Sequence, residues 1–212
     1  MEAALAMIPV RPGPDQIVHL VEAELEDAAA VLAVAFHDYA WTRWVIPEDG
    51  YGERLRQLQR LYLAHALGHG SVLRTADFSG VVALLPVAAP EPAPEVYERI
   101  RALHGDRLGR LGGVESPEPE LPAAQALAAP LPAADWTLET VGVLSSAQGR
   151  GIGGRLVDAG LRTAQARGAS AVGLETSDER NVALYRRHGF EVVAHQRPEC
   201  GPQIWTLRAE IP

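Results

Sequence analysis

Lysine is missing: all 19 basic residues of this 212-residue chain are arginines. That excludes a Schiff-base lysine, a pyridoxal phosphate anchor and the phosphate-gripping lysine of a Walker A loop. Cysteine is nearly absent. Cys200 alone cannot form an intrachain disulfide or a cysteine-rich zinc site, which suits a reducing compartment. Long apolar runs are also lacking: the longest, such as Ala28 to Phe36, is nine residues, against the ~20 of a bilayer-spanning helix. The opening MEAALAMIPV has an acid and no base, so a secretory signal is not expected. A basic excess is missing too, and a net charge of −8 argues against nucleic acid as a partner. What remains, 47 % apolar and 22 % charged residues, is enough for a real core. The expectation is a soluble, cytoplasmic, single-domain protein, monomer or homodimer, with neither membrane nor nucleic acid as partner.

Apolar periodicity predicts a strand over 17–21, a helix over 24–36 and a second helix over 51–67, the last with Tyr51, Leu55, Leu58, Tyr62 and Ala66 on one face. Residues 71–75 and 81–87 read as strands joined by a turn. Nine of the 16 prolines lie between Pro86 and Pro132, around a helix expected over 94–111 and an irregular acidic stretch. From Trp136 the pattern sharpens into strand 136–143, a glycine turn, helix 152–167, strand 171–175, short helix 181–188 and strands 191–195 and 203–209. Strands alternating with helices indicate an α/β or layered α+β fold.

The turn Gln148-Gly149-Arg150-Gly151-Ile152-Gly153 lies between a strand and a helix. Glycines there permit positive φ and close backbone approach, and N–H groups at a helix start attract phosphate without a lysine. Residues 145–190 hold seven arginines against four acids, so an anionic ligand is drawn to this part of the chain. The same glycines also fit a turn that merely packs a helix on a sheet. Gly149, Gly151 and Gly154 match the dinucleotide fingerprint as well, with Glu175 near the ribose-binding distance. Against that, residues 144–148 separate the strand from the first glycine, and the strand carries Thr137, Glu139 and Thr140, unlike a doubly covered parallel strand.

The runs V-G-V-L-S-S-A-Q-G-R-G-I-G and L-E-T-S-D-E-R-N-V-A-L-Y-R-R-H-G-F-E-V resemble the acetyl-CoA signature of the GNAT N-acetyltransferases. Gln148, Gly151 and Gly153 match its Q/R-x-x-G-x-G/A loop, and Asn181, Tyr185 and Gly189-Phe190 follow in order. AFHDYAWTRW, the Pro-rich middle, W-T-L-E-T-V-G-V and G-P-Q-I-W-T-L are similar to the puromycin N-acetyltransferase branch. The resemblance implies a mixed, mostly antiparallel sheet flanked by helices, with splayed fourth and fifth strands. It implies an acceptor-side half at 16–90, a helix-and-loop excursion at 91–135 and an acetyl-CoA-binding core at 136–212.

Acetyl-CoA is the cosubstrate so implied, with no metal. Its pantetheine would pair with the backbone at Val141 and Val143 and its pyrophosphate would lie on Gln148, Gly149, Arg150, Gly151, Ile152 and Gly153, with Asn181 at the pantetheine. Tyr185 would protonate the leaving thiolate. The alternative role for Tyr185 is a core aromatic, and for Asn181 a helix cap. The base for the acceptor amine stays open between Glu139, Glu175 and a water chain. Glu139 is placed on the face of Val141 and Val143 by strand alternation, although the puromycin branch does not keep a carboxylate there. Phe36, Asp38, Tyr39, Trp41 and Trp44 would line the acceptor cleft, where flat rings suit an aromatic or hydrophobic primary amine, antibiotic-like molecules included; core or lid packing explains them equally. The competing function is an acyl-CoA-binding sensor with little catalysis. His65 and His69, four residues apart, lack a third metal ligand, and Cys200 lacks an activating neighbour.

Overall fold

The computed structural model describes residue 13 and residues 16–112, 134–198 and 200–212. The acidic part of the Pro-rich stretch, 113–133, and the opening MEAALAMIPV lie outside the described residues. In chain order the elements are β1 (Ile17–His19), α1 (Leu25–Ala35), α2 (Ala40–Val45), α3 (Tyr51–His69), β2 (Ser71–Thr75), β3 (Gly80–Pro86), α4 (Pro94–His104), β4 (Trp136–Val143), α5 (Ile152–Ala166), β5 (Ala171–Thr176), α6 (Glu179–Arg186), β6 (Glu191–Gln196) and β7 (Ile204–Glu210). The expected 94–111 helix stops at His104, where Gly105 takes φ +54° and a 3-10 stretch continues to Gly112. The last helix starts two residues before the expected Asn181, because the Asp178 carboxylate accepts a hydrogen bond from Arg180 N at 2.9 Å. Asp178, rather than Asn181, is therefore the cap. Helix α2 went unread, since its six residues are too short for apolar periodicity to show.

One seven-stranded sheet runs β1-β2-β3-β4-β5-β7-β6. Every neighbouring pair is antiparallel except β4 with β5, so the expected mixed, mostly antiparallel sheet flanked by helices is what forms. It also removes the dinucleotide reading, which needs a parallel sheet. One face packs Val82, Leu84, Trp136, Leu138 and Leu174 against Leu156 and Val157 of α5 and Tyr185 of α6. The other packs Val72, Val81 and Ala83 under Leu32 of α1 and Leu63 of α3. A third cluster joins α2, α3 and α4 around Val45, Leu55, Leu58 and Leu103.

The parallel β4–β5 ladder lasts for two pairs, Trp136↔Val172 and Thr137↔Gly173. Asp135 clamps this closed end, its carboxylate accepting from Ser170 N at 2.8 Å and Ala171 N at 3.0 Å. Among the described residues, β4 beyond Thr137 pairs only with β3, and β5 beyond Gly173 pairs only with β7. The two strands thus diverge into a wedge.

Candidate functional site

The wedge is where the two expected motifs converge. On one side β4 runs out at Val143, and a 3-10 turn at Ser145–Ala147 carries the chain to the glycine loop. Gly149 and Gly151 take φ +77° and +75°, the left-handed region that only glycine enters at little cost. Gly151 directly precedes α5, whose first N–H groups have no side-chain cap; such a terminus favours an anion. Gln148 Nε2 donates to Val143 O at 3.2 Å and Arg155 Nη1 to Arg150 O at 3.0 Å, tying the loop to β4 and to the helix. Buried Ile152 anchors the helix start. A Cβ on Gly153 would make ordinary contacts with Leu184 and Val143, whereas one on Gly154 would meet His188 Nε2 at 2.6 Å. Gly154 is thus the glycine that close packing requires, and His188 is held there by Asp158 at 2.6 Å.

On the other side, Asn181 and Tyr185 lie one turn apart on α6. Asn181 Nδ2 donates to Thr176 Oγ1 at 3.3 Å. Tyr185 is 6 % exposed and meets Phe190 edge-on at a centroid distance of 5.7 Å. Burial, with a smaller contribution from Tyr39, pushes its phenol well above the ordinary value, so it stays protonated.

The carboxylates need closer attention because β4 is bulged. Ala83 pairs with Thr140 and Leu84 with Leu138, leaving Glu139 as an extra residue without a β3 partner. Trp136 and Leu138 before the bulge, and Val141 and Val143 after it, all face the α5 layer. The bulge therefore takes Glu139 off the face of Val141 and Val143 on which simple alternation puts it. The residue is exposed to solvent, yet its carboxyl is crowded by surrounding protein. That crowding, helped by the nearby Glu175 charge, pushes its pKa up to about 7. Glu175 is also raised by desolvation, opposed by a 3.1 Å hydrogen bond from Thr206 Oγ1.

Two neighbours escaped the sequence reading. Tyr62 of α3 is raised by burial and, secondarily, by the charge of Glu139. Its hydroxyl lies 3.3 Å from Nε2 of buried His104, whose Nδ1 is 2.8 Å from the Val45 carbonyl. A donor Nδ1–H there leaves Nε2 as the acceptor for Tyr62. Helical periodicity assigned Tyr62 to a core face, and nothing local links it to a glutamate 77 positions on.

The aromatic segment divides. Phe36 packs between α1 and β4, with Cε2 3.3 Å from where a Gly142 Cβ would stand. Tyr39 reaches the β5–α6 corner, 3.0 Å from Thr176 Oγ1. Trp41 and Trp44 pack against the α2–α3–α4 cluster, Trp44 beneath the Arg110 guanidinium at 4.2 Å. The Asp38 side chain is 90 % exposed and pairs with His37 and Arg43, which hold its carboxyl below the usual range. Phe36 and Tyr39 therefore approach β4 and β5, while Asp38 turns to solvent and the two tryptophans go to packing. Among the described residues no group of three or more His, Cys, Asp or Glu is arranged to hold a metal, and no helix is long and apolar enough to cross a membrane.

The sequence model of the acetyltransferase (GNAT) family matches residues 78–190, from the end of the β2–β3 turn through the glycine loop to Phe190. The chain belongs to that family. GNAT enzymes use acetyl-CoA, and their fold implies a second, acceptor substrate. Solved structures agree on the architecture. A Corynebacterium glutamicum protein described as histone acetyltransferase HPA2 and related acetyltransferase shares 22 % identity at TM-score 0.63, covering 93 % of this chain and 97 % of that one. Drosophila melanogaster polyamine N-acetyltransferase, which forms N-acetylagmatine, shares 17 % at TM-score 0.64 over 92 % and 99 %. Arylalkylamine N-acetyltransferase 2 of Aedes aegypti shares 12 % at TM-score 0.65 over 93 % and 99 %. The last two are named for chemically different amines on one fold, so the fold by itself does not name the acceptor.

Proposed function

We propose that this GNAT acetyltransferase moves an acetyl group from acetyl-CoA directly to the primary amine of a small molecule, as the puromycin N-acetyltransferase branch does. The observation that carries the reading is the β4–β5 wedge, with a glycine-lined helix start just past β4, Glu139 on β4, Glu175 on β5 and the buried Tyr185 phenol on the helix after β5. The free inner edge of β4 can pair with an extended pantetheine amide chain as with an added strand, Val141 and Val143 supplying backbone groups. The pyrophosphate then falls at Gln148–Gly153. Backbone N–H groups, the α5 start and Arg150 hold it without a lysine.

In the transfer, the amine lone pair forms a bond to the thioester carbonyl carbon and the C–S bond breaks with its electron pair on sulfur. The sulfur takes a proton from Tyr185, and the proton lost by nitrogen goes to Glu139 or Glu175, directly or through water. Glu139 is the better base: its pKa near 7 lets it be ionised at neutral pH yet basic enough to take a proton. Holding amine and thioester together supplies much of the advantage, so no acyl-enzyme is needed. Carboxylates in the wedge and the rings of Phe36 and Tyr39 beside it suit a cationic amine with an apolar or aromatic body. The same reading makes residues 1–212 one acetyltransferase domain.

Calorimetry with CoA, followed by thiol release from acetyl-CoA over puromycin, 2-phenylethylamine, agmatine and spermidine, tests this. CoA binding and turnover of puromycin or 2-phenylethylamine are expected. Binding without turnover on any amine would favour the acyl-CoA sensor, and no CoA binding would sink both.

A further inference from the structure

Tyr39 belongs by sequence to the aromatic acceptor segment, yet its hydroxyl is engaged elsewhere. Its ring packs edge-on against Phe36 at 5.3 Å, and Thr42 Oγ1 lies within hydrogen-bond reach of the carbonyls of Phe36 (2.8 Å) and Tyr39 (2.9 Å). From this braced position the hydroxyl crosses 138 positions of sequence to accept a hydrogen bond from Ser177 N at 2.7 Å. It also lies 3.0 Å from Thr176 Oγ1. Thr176 is 4 % exposed, and its oxygen receives Asp178 N and Asn181 Nδ2, each at 3.3 Å. A threonine hydroxyl has two lone pairs and one proton. With both lone pairs taken, its proton goes to Tyr39, whose oxygen then accepts from Thr176 and from Ser177 together. Tyr39 thus closes the corner from which α6 starts, and α6 carries Asn181 and Tyr185.

We infer that Tyr39 is a positioning residue that couples the acceptor side of the wedge to the placement of Tyr185. Acceptor bound against the Phe36–Tyr39 rings steadies the Tyr39 hydroxyl. The hydroxyl steadies the 176–178 corner, and the corner sets the azimuth of α6 and so the reach of the Tyr185 phenol. Side-chain misplacement of about 1 Å can cost on the order of 100-fold in rate, so one hydroxyl at this distance from the chemistry is enough to matter. The inference rests on the proposed role of Tyr185, and its test separates the two.

The test uses the full chain with Tyr39→Phe, which keeps the ring, and Thr176→Val, which keeps the shape of the buried hub. Amide hydrogen exchange across residues 177–181 needs no turnover. Both variants are expected to exchange at least about tenfold faster there while α5 is unaffected, the loss of one corner bond being worth roughly that factor. Unchanged protection overturns the inference. With acetyl-CoA and either puromycin or 2-phenylethylamine, Tyr39→Phe is expected to lower kcat about tenfold, leave CoA affinity within about twofold, and have no further effect in a Tyr185→Phe background. A raised acceptor KM with unchanged kcat, or losses that add in the double variant, would make Tyr39 a plain acceptor contact and overturn the coupling. A chain that turns over neither amine defeats the proposed function, and the exchange measurement alone then decides whether Tyr39 holds the corner.

Discussion

Leu32 Cδ2 stands 2.5 Å from where a Cβ on Gly142 would be, with Ala35 Cβ at 3.1 Å. Helix α1 therefore lies directly on the β4 backbone, just past the bulge at Glu139. Gly142→Ala would push α1 off the sheet and is expected to destabilise the protein by about 1–3 kcal/mol, the usual range for overpacking. Thermal unfolding measures this, and a Tm within experimental error of wild type would contradict the contact.

The glycine loop makes a different kind of demand. Among the described residues nothing lies within 4 Å of a Cβ on Gly149, and the nearest atom to one on Gly151 is Arg155 Nη1 at 3.6 Å, so their requirement is φ, not space. Gly151→Ala should cost about 1–2 kcal/mol of local strain and weaken CoA binding by roughly tenfold, since 1.4 kcal/mol corresponds to that factor. Calorimetry gives the affinity. Equal CoA binding by Gly151→Ala and wild type would remove the left-handed turn from the phosphate site.

Glu139 supplies the pH dependence. A base must be unprotonated to act, so kcat/KM for the amine should rise with pH through about 7, the value to which Glu139 is raised. Glu139→Gln is expected to lower kcat by about 100-fold and to erase that inflection. An inflection that survives in Glu139→Gln assigns the base to Glu175 or to water. Stability runs the opposite way. Because the folded state holds this proton more tightly than the unfolded chain, the Glu139 contribution falls as pH rises from about 4.5 to about 7.

Tyr185→Phe should leave the T-shaped packing on Phe190 intact while removing the phenolic proton. The expected loss is about 100-fold in kcat, at the low end for general-acid catalysis, with CoA affinity nearly unchanged. Rapid-quench measurement of the transfer step makes the comparison free of product release. Wild-type turnover in Tyr185→Phe would return Tyr185 to a purely packing role.

Local pattern made several parts legible. The strand Trp136–Val143 was bounded correctly because turn-forming residues flank an alternating run, and the glycine turn before Ile152 was visible because only glycine tolerates that backbone cheaply. The 51–67 helix announced itself by periodicity and ends two residues later, at His69. The bulge at Glu139 left no such trace. It exists because β3 and β4 pair out of step between Ala83 and Leu84, and register depends on residues over 50 positions away. Asp38 misled for a related reason: Phe36 and Tyr39 on either side of it approach β4 and β5, but Asp38 lies at the surface beside His37 and Arg43.

The glycine loop and the order of motifs are properties of the chain itself; they carried the resemblance to the family, the acetyl-CoA chemistry it implies and the order of the elements, while the missing lysines excluded lysine-dependent chemistry. Tertiary structure alone decided which side chains meet: Tyr39 with Thr176 and Ser177, Tyr62 with His104, and Glu139 close enough to Glu175 for their charges to interact. The physical reason is range. Backbone preference and periodicity act over a few residues, whereas hydrogen bonds and charge interactions across the wedge join elements that only the folded sheet brings together.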